Sequence, residues 1–166
     1  ADIVAASAKL EGDKLEKARR VRIRDVMSMS SGLEYHENPT SHPIYGTADR
    51  LQFALDPALV HEPGQHYNYS NGDASIADAV VAAAAGTDLL SYGSEVLFAP
   101  LGFKNVEWWF RDKAGRYPGG WGLRLRAIDM ARFGQLYLQK GRWRDKTIIE
   151  ANFVRDAWRP SRVASH

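Results

Sequence analysis

Apolar residues recur at helical spacing in several stretches of the chain. Over residues 72–85, Ile76, Ala79, Val80 and Ala83 share one face. Asn71 stands where an N-cap belongs, and Gly86 stands where a left-handed C-cap belongs. Residues 127–139 predict a second long helix, with Met130, Ala131, Phe133, Gly134 and Tyr137 spaced for packing and Gly141 closing it. Shorter helices are predicted over 23–29, ended by Ser30-Ser31-Gly32, and over 47–55, capped by Thr47 and stopped by Asp56-Pro57. Two more are predicted over 88–98 and 149–158, with Pro100 and Pro160 beyond them. Arg22 stands where a Ser or Thr cap is usual, so the start of the 23–29 helix is expected to be poorly capped.

The rest of the pattern is not helical. Residues 1–20 are polar and only weakly helical, with Gly12 expected to break them. Residues 34–47 hold Asn38-Pro39, His42-Pro43 and Gly46, which is loop chemistry. Residues 61–71 read as extended, with a turn at Pro63-Gly64. Residues 106–111 predict a strand, 112–115 a hairpin-type turn, and 117–122 a glycine-rich loop. No internal repeat is present. The fold class that results is α+β and mostly helical, read as one partial domain over residues 1–166, with 1–19 and 160–166 loosely ordered.

Composition narrows the function. The chain has 166 residues, 45% of them hydrophobic, 25% charged, and none cysteine. Disorder, a disulfide scaffold, a thiol nucleophile and a cysteine-ligated zinc site are excluded. Zero cysteines leave the compartment open, so periplasm and cytoplasm both fit. The most apolar stretch, residues 79–85, is far short of the roughly 20 residues a membrane helix needs. The chain starts at Ala1 without a methionine and is expected to be a processed product or an excised piece.

Charge is uneven. Residues 1–83 carry 8 basic and 12 acidic side chains, and residues 84–166 carry 14 and 8. The arginines among Trp108 to Arg126 are read as solvated or stacked on aromatics rather than as a nucleic-acid surface, because the excess is modest and interspersed with acids.

Candidate chemistry is sparse. His61 and His66 flank Pro63-Gly64, which forbids the helix that would bring two imidazoles to one metal. No Gly-x-Ser-x-Gly elbow occurs, and no phosphate-binding glycine loop. Glu34 and Glu37 form a carboxylate pair that the spacing alone gives no role. The segment Tyr67-Asn68-Tyr69-Ser70-Asn71-Gly72 stands out. In an extended chain residues i and i+2 point the same way, so Tyr69 and Asn71 are expected to face one cleft. A helix cap at Asn71 beside a half-buried Tyr69 is the competing reading.

Order along the chain adds a resemblance. Ile23-Arg24-Asp25-Val26-Met27-Ser28-Met29-Ser30-Ser31-Gly32-Leu33, then Tyr69-Ser70-Asn71, then Pro100-Leu101-Gly102-Phe103, then Gly120-Trp121-Gly122-Leu123-Arg124-Leu125-Arg126-Ala127-Ile128-Asp129-Met130-Ala131-Arg132-Phe133-Gly134 follow one another. This succession resembles the serine β-lactamase-like, penicillin-recognising hydrolases, in the branch of class C β-lactamases, D-alanyl-D-alanine carboxypeptidases and esterases. The likeness covers about residues 20–155.

The resemblance implies the helical domain and borders of a β-lactamase/transpeptidase-like fold, with most of the α/β sheet domain absent. It implies hydrolysis of amide or ester bonds through an acyl-enzyme. Tyr69 matches the tyrosine that passes protons to and from the serine nucleophile, and Asn71 the asparagine that hydrogen-bonds the substrate. No metal or organic cofactor is implied. Arg126, like Arg22, replaces a threonine cap of the family pattern. No serine here has a lysine three residues later, so the family's Ser-x-x-Lys nucleophile is not in this sequence. Its Lys-Thr-Gly-type motif is not found either.

The chain alone is therefore expected to be inactive. Its expected partners are a small amide or ester substrate in the full-length protein, and the remainder of the α/β domain or a second copy against an exposed apolar face. Trp108, Phe110 and Trp121 are candidates for that face. A non-catalytic helical binding or interaction module is the alternative.

Overall fold

The computed structural model describes residues 10–37 and 43–160. Asn38-Pro39, His42 and the outermost terminal residues, for which loose order was expected, lie outside the described residues. The chain divides into two compact units. Among the described residues, the first comprises 10–37, 43–89 and 110–121, and the second 90–109 and 122–160.

The first unit is helical. It contains α1 (Gly12–Arg20), α2 (Ile23–Met27), a 3-10 turn (Pro43–Tyr45), α3 (Arg50–Leu55) and α4 (Asn71–Ala85). Gly12 opens α1 instead of breaking it. Lysine and arginine fill the last turn of α1, where they complement the helix dipole. Its Ala18 joins Leu10, Val21, Val26, Leu51 and Ile76 in the core. α4 packs on both α2 and α3.

Three caps differ from expectation. α3 is capped by Asp49, whose carboxylate accepts from Gln52 N at 3.1 Å, and not by Thr47. α4 is capped by Ser70, whose Oγ accepts from Asp73 N at 3.0 Å, so Asn71 is the first helical residue. Arg22 is no defect at α2. Asp25 three residues on accepts from Arg22 N at 3.0 Å and from its guanidinium at 2.9 Å twice. The acid thus pairs with the cap residue's own donors, a variant of the reciprocal capping box.

Two expected core positions of α4 behave differently, Val80 being only half-buried and Ala83 exposed. Ile76 and Ala79 are buried. The buried set at the start of α4 is polar: Asn71, Asp73, Ser75 and Asp78.

The second unit contains α5 (Leu89–Gly93, entering from the first unit), a π-helical turn (Ser94–Phe98), α6 (Ala127–Leu138) and α7 (Ala151–Ala157). Two short antiparallel pairs complete it. β1 (Glu107–Trp108) pairs with β2 (Leu123–Arg124), and β3 (Arg142–Trp143) with β4 (Lys146–Thr147). The strand expected over 106–111 is thus reduced to two paired residues. Gly141 has φ +84°, and a Cβ there would overlap the Ile149 carbonyl, so the turn after α6 admits only glycine.

α6 begins as α2 does. Arg126 is its cap residue, and its guanidinium donates to Asp129 at 2.6 and 2.8 Å. Arg132 adds a third charged donor to Asp129 at 3.0 Å. Of the α6 positions expected to pack, Met130, Ala131, Phe133 and Gly134 are exposed, and Leu136 is buried instead. Among the described residues, no single helix is long and apolar enough to cross a membrane.

Candidate active site

The segment before α4 is bolted to the stretch after α2. Gly64 N donates to Ser30 O at 2.8 Å, and Asn68 N to Met29 O at 2.8 Å. Asn68 Nδ2 donates to Tyr35 O at 2.7 Å. The buried Ser31 hydroxyl donates to Asp73 at 2.6 Å, which joins the Ser-Gly-Leu stretch to the first turn of α4. Burial pushes the Asp73 carboxyl up to about 6, against the pull of the Ser31 hydrogen bonds.

These bonds place Tyr69, Ser70 and Asn71 at the mouth of α4. Tyr69 is 50% exposed and lies just before the cap of α4, outside any regular element. Ser70 turns inward as the cap. Asn71 is 7% exposed and belongs to the helix, so the two candidate residues do not share one extended strand. Asn71 Nδ2 donates to the Tyr45 hydroxyl at 3.3 Å, and the Tyr69 phenol acts electrostatically on Tyr35 and Tyr45.

Glu37 organises this cluster. It accepts from Asn71 N at 3.3 Å, from Asn71 Nδ2 at 3.1 Å and from the Tyr45 hydroxyl at 3.0 Å. Burial, reinforced by Glu37, holds both the Tyr35 and Tyr45 phenols above their ordinary value. Sequence reading left Glu37 without a role because its partners lie 8 and 34 positions away.

The glycine-rich loop closes the other side of Asn71. A Cβ on Gly120 would overlap Asn71 Oδ1, and one on Gly119 would overlap the Ala74 carbonyl. The doubled glycine was the available signal for this close approach. A buried arginine supports the loop. Arg50 lies 5.4 Å from the Trp121 ring and donates to Arg116 O at 3.2 Å, while its backbone N–H donates to Asp112 at 3.0 Å. Burial lowers the Arg50 pKa. Trp121 in turn meets Tyr45 edge-on at 5.0 Å.

Other arginines stack as expected from the sequence. Arg111 covers Tyr117 at 4.5 Å, and Arg124 covers Trp109 at 4.1 Å. The His61 and His66 rings stack at 4.2 Å rather than converging on a point. Among the described residues, no group of three or more His, Cys, Asp or Glu is placed to hold a metal ion.

Residues 10–164 match the family model described as Beta-lactamase, and the chain belongs to that family. Solved structures share the fold. A Bacteroides dorei DSM 17855 protein, provisionally assigned as a beta-lactamase, superposes with a TM-score of 0.73 at 22% identity, covering 93% of this chain and 46% of its own. A Bacillus anthracis protein, provisionally assigned as a 6-aminohexanoate-dimer hydrolase, gives 0.72 at 20% identity, covering 93% and 48%. The octameric penicillin-binding protein homologue of Pyrococcus abyssi gives 0.57 at 19% identity, covering 81% and 37%. The chain therefore spans about half the length, or less, of these relatives. A search of curated proteins finds no significant match.

Proposed function

We propose that this chain is the substrate-recognising helical part of a serine hydrolase that cleaves amide or ester bonds through an acyl-enzyme. The observation that carries the reading is the Tyr69-Ser70-Asn71 corner. An exposed phenol stands next to a carboxamide clamped by Glu37 and Tyr45, at the start of the longest helix. In the complete enzyme, a serine activated by a neighbouring lysine attacks the carbonyl. Tyr69 moves the proton between that serine and the leaving group. Asn71 holds the substrate. The rest of the α/β domain covers the apolar side chains of the second unit, among them Phe133, Leu138, Phe153 and Trp158.

Two measurements test this. The 166-residue chain, incubated with a fluorescent penicillin or an activated ester, should show no covalent adduct by intact mass, because no serine in it has a lysine at one-turn spacing. Joined to segments that carry Ser-x-x-Lys and the Lys-Thr-Gly-type motif, it should turn over. Tyr69→Phe should then lower kcat by about a hundredfold or more, the usual contribution of a proton-transfer group. An unchanged kcat in that variant would remove Tyr69 from the mechanism.

A further inference from the structure

Of the five asparagines in the chain, Asn71 alone precedes a glycine. That pairing is chemically labile. The backbone nitrogen of the following residue can attack the asparagine Cγ, and glycine has no Cβ to obstruct the approach or restrict the backbone that must swing into place. The Cγ–Nδ2 bond breaks, and ammonia leaves with the proton of the attacking nitrogen, closing a five-membered succinimide. Water then opens the ring at one of its two carbonyls. The product is aspartate, or isoaspartate with the main chain rerouted through Cβ and Cγ. In sum, asparagine and water give an acid and ammonia, with nothing oxidised or reduced.

The fold demands this glycine. A Cβ at position 72 would stand 3.1 Å from the Tyr35 ring and 3.1 Å from Ser70 Oγ, the oxygen that caps α4. Tyr35 is itself buried. A residue bulky enough to slow the reaction would therefore press on both the core and the cap. The fold also blocks the reaction. Asn71 is the first residue of α4, and ring closure needs its ψ far from the helical value of about −42°. Asn71 O accepts from Ser75 Oγ at 2.9 Å, and Asn71 N donates to Glu37 at 3.3 Å, so the peptide units on both sides of the residue are held. Its burial keeps water from the second step.

We infer that Asn71-Gly72 is a latent deamidation site gated by the first turn of α4, closed while that turn is formed and reactive when it opens. Helix ends open at lower cost than a whole domain unfolds, so the gate is local. Conversion disarms the corner. It sets a new carboxylate where the Asn71 side chain lies 3.1 Å from Glu37, and like charges at that distance repel. The isoaspartate form adds a main-chain atom as well, which puts the first turn out of register with its cap. The chain thus carries at Asn71 a clock that runs with the time this turn spends open. The chemistry does not depend on the hydrolase reading; only its consequence for activity does.

The test reads conversion by mass rather than activity. The 166-residue chain is held at mildly alkaline pH in buffer and in guanidinium chloride, then digested with trypsin. Acid is measured at each asparagine, and isoaspartate at position 71. In denaturant, Asn71 should convert about tenfold faster than Asn68, which precedes a tyrosine. In buffer, Asn71 should convert about a hundredfold more slowly than in denaturant, as expected for a group reached only through opening. Ser70→Ala removes the cap bond to Asp73 N and should speed the reaction in buffer about fivefold, the effect of one cap, without changing it in denaturant. Gly72→Ala, measured in denaturant so that folding is not at issue, should slow conversion about tenfold. Equal rates in buffer and denaturant, or Asn71 and Asn68 converting alike in denaturant, overturn the inference. A Ser70→Ala chain that converts in buffer at the unmodified rate overturns the gate.

Discussion

The two units handle apolar residues in opposite ways. The first buries Leu51 and Ile44 completely and, among the described residues, exposes half as many large apolar side chains as the second, Ile23, Met27 and Phe110 among them. The second buries Leu136 as fully, yet leaves Leu138 72% and Trp158 66% exposed, together with Met130 and Phe153. Both contain helices with clear apolar stripes. What separates them is whether another element covers the stripe. α4 has α2 and α3 against it, whereas most of the α6 stripe has nothing on it among the described residues. An amphipathic pattern states that a face needs a partner and does not name the partner.

The largest effect that tests this contrast is a truncation in each unit. Leu51→Ala should cost about 3 kcal/mol in denaturant unfolding, the usual toll of a core cavity. Leu138→Ala should change stability by less than about 0.5 kcal/mol. Equal losses would erase the distinction between the units.

A pH series sharpens it next. Burial raises Asp73 to about 6 and Asp78 to about 7, above the 3.8 of an exposed aspartate. Arg116 and Arg50 oppose the rise at Asp78, while Asp112 and Asp88 add to it. Folded chains keep these carboxyls protonated where unfolded chains have ionised them. Their contribution to stability is full below the unfolded value and is lost as pH rises through about 6 and about 7. Melting temperature should therefore fall between about pH 4 and pH 7, and Asp73→Asn and Asp78→Asn should each flatten that fall. A slope unaffected by both substitutions would mean that these carboxyls are ionised when folded.

Smaller again is the cap. Ser70→Ala should destabilise by about 1 kcal/mol through loss of the bond to Asp73 N. Asn71→Ala would show no such loss from capping, and hydrogen exchange in the first turn of α4 would separate the two. The smallest stability effect is expected for Leu138→Lys, within about 0.5 kcal/mol. It should nevertheless reduce binding of an apolar dye, because it breaks the exposed patch of the second unit. Undiminished dye binding would place the exposed apolar surface elsewhere.

The paired helix starts show what kind of information was hidden. Arg22 and Arg126 both looked like missing caps, judged one residue at a time. Asp25 and Asp129, three residues on, make each arginine part of a cap. The spacing was readable, but its value depends on burial. Both aspartates are almost fully buried while their arginines stay partly exposed.

The site divides similarly. The placement of Tyr69 and Asn71 beside the start of the long helix was legible from local order, as was the turn at Pro63-Gly64. Glu37 and Tyr45 were not, because a loop carboxylate has no periodicity and gains meaning only from what folds against it. Ser70 took the cap expected of Asn71 because its short hydroxyl reaches Asp73 N, and Asn71 was left free to turn its NH2 toward Glu37.

By itself, then, the sequence determined most of the helical elements after α1, the glycine turns and the succession of motifs that mark the family. These rest on local propensity and short-range spacing. Tertiary structure alone decided which apolar faces are covered and which way the Asn71 carboxamide faces. Each of those depends on groups brought together across tens of positions, where burial and an acceptor-only neighbour select one arrangement from several that the chain would locally allow.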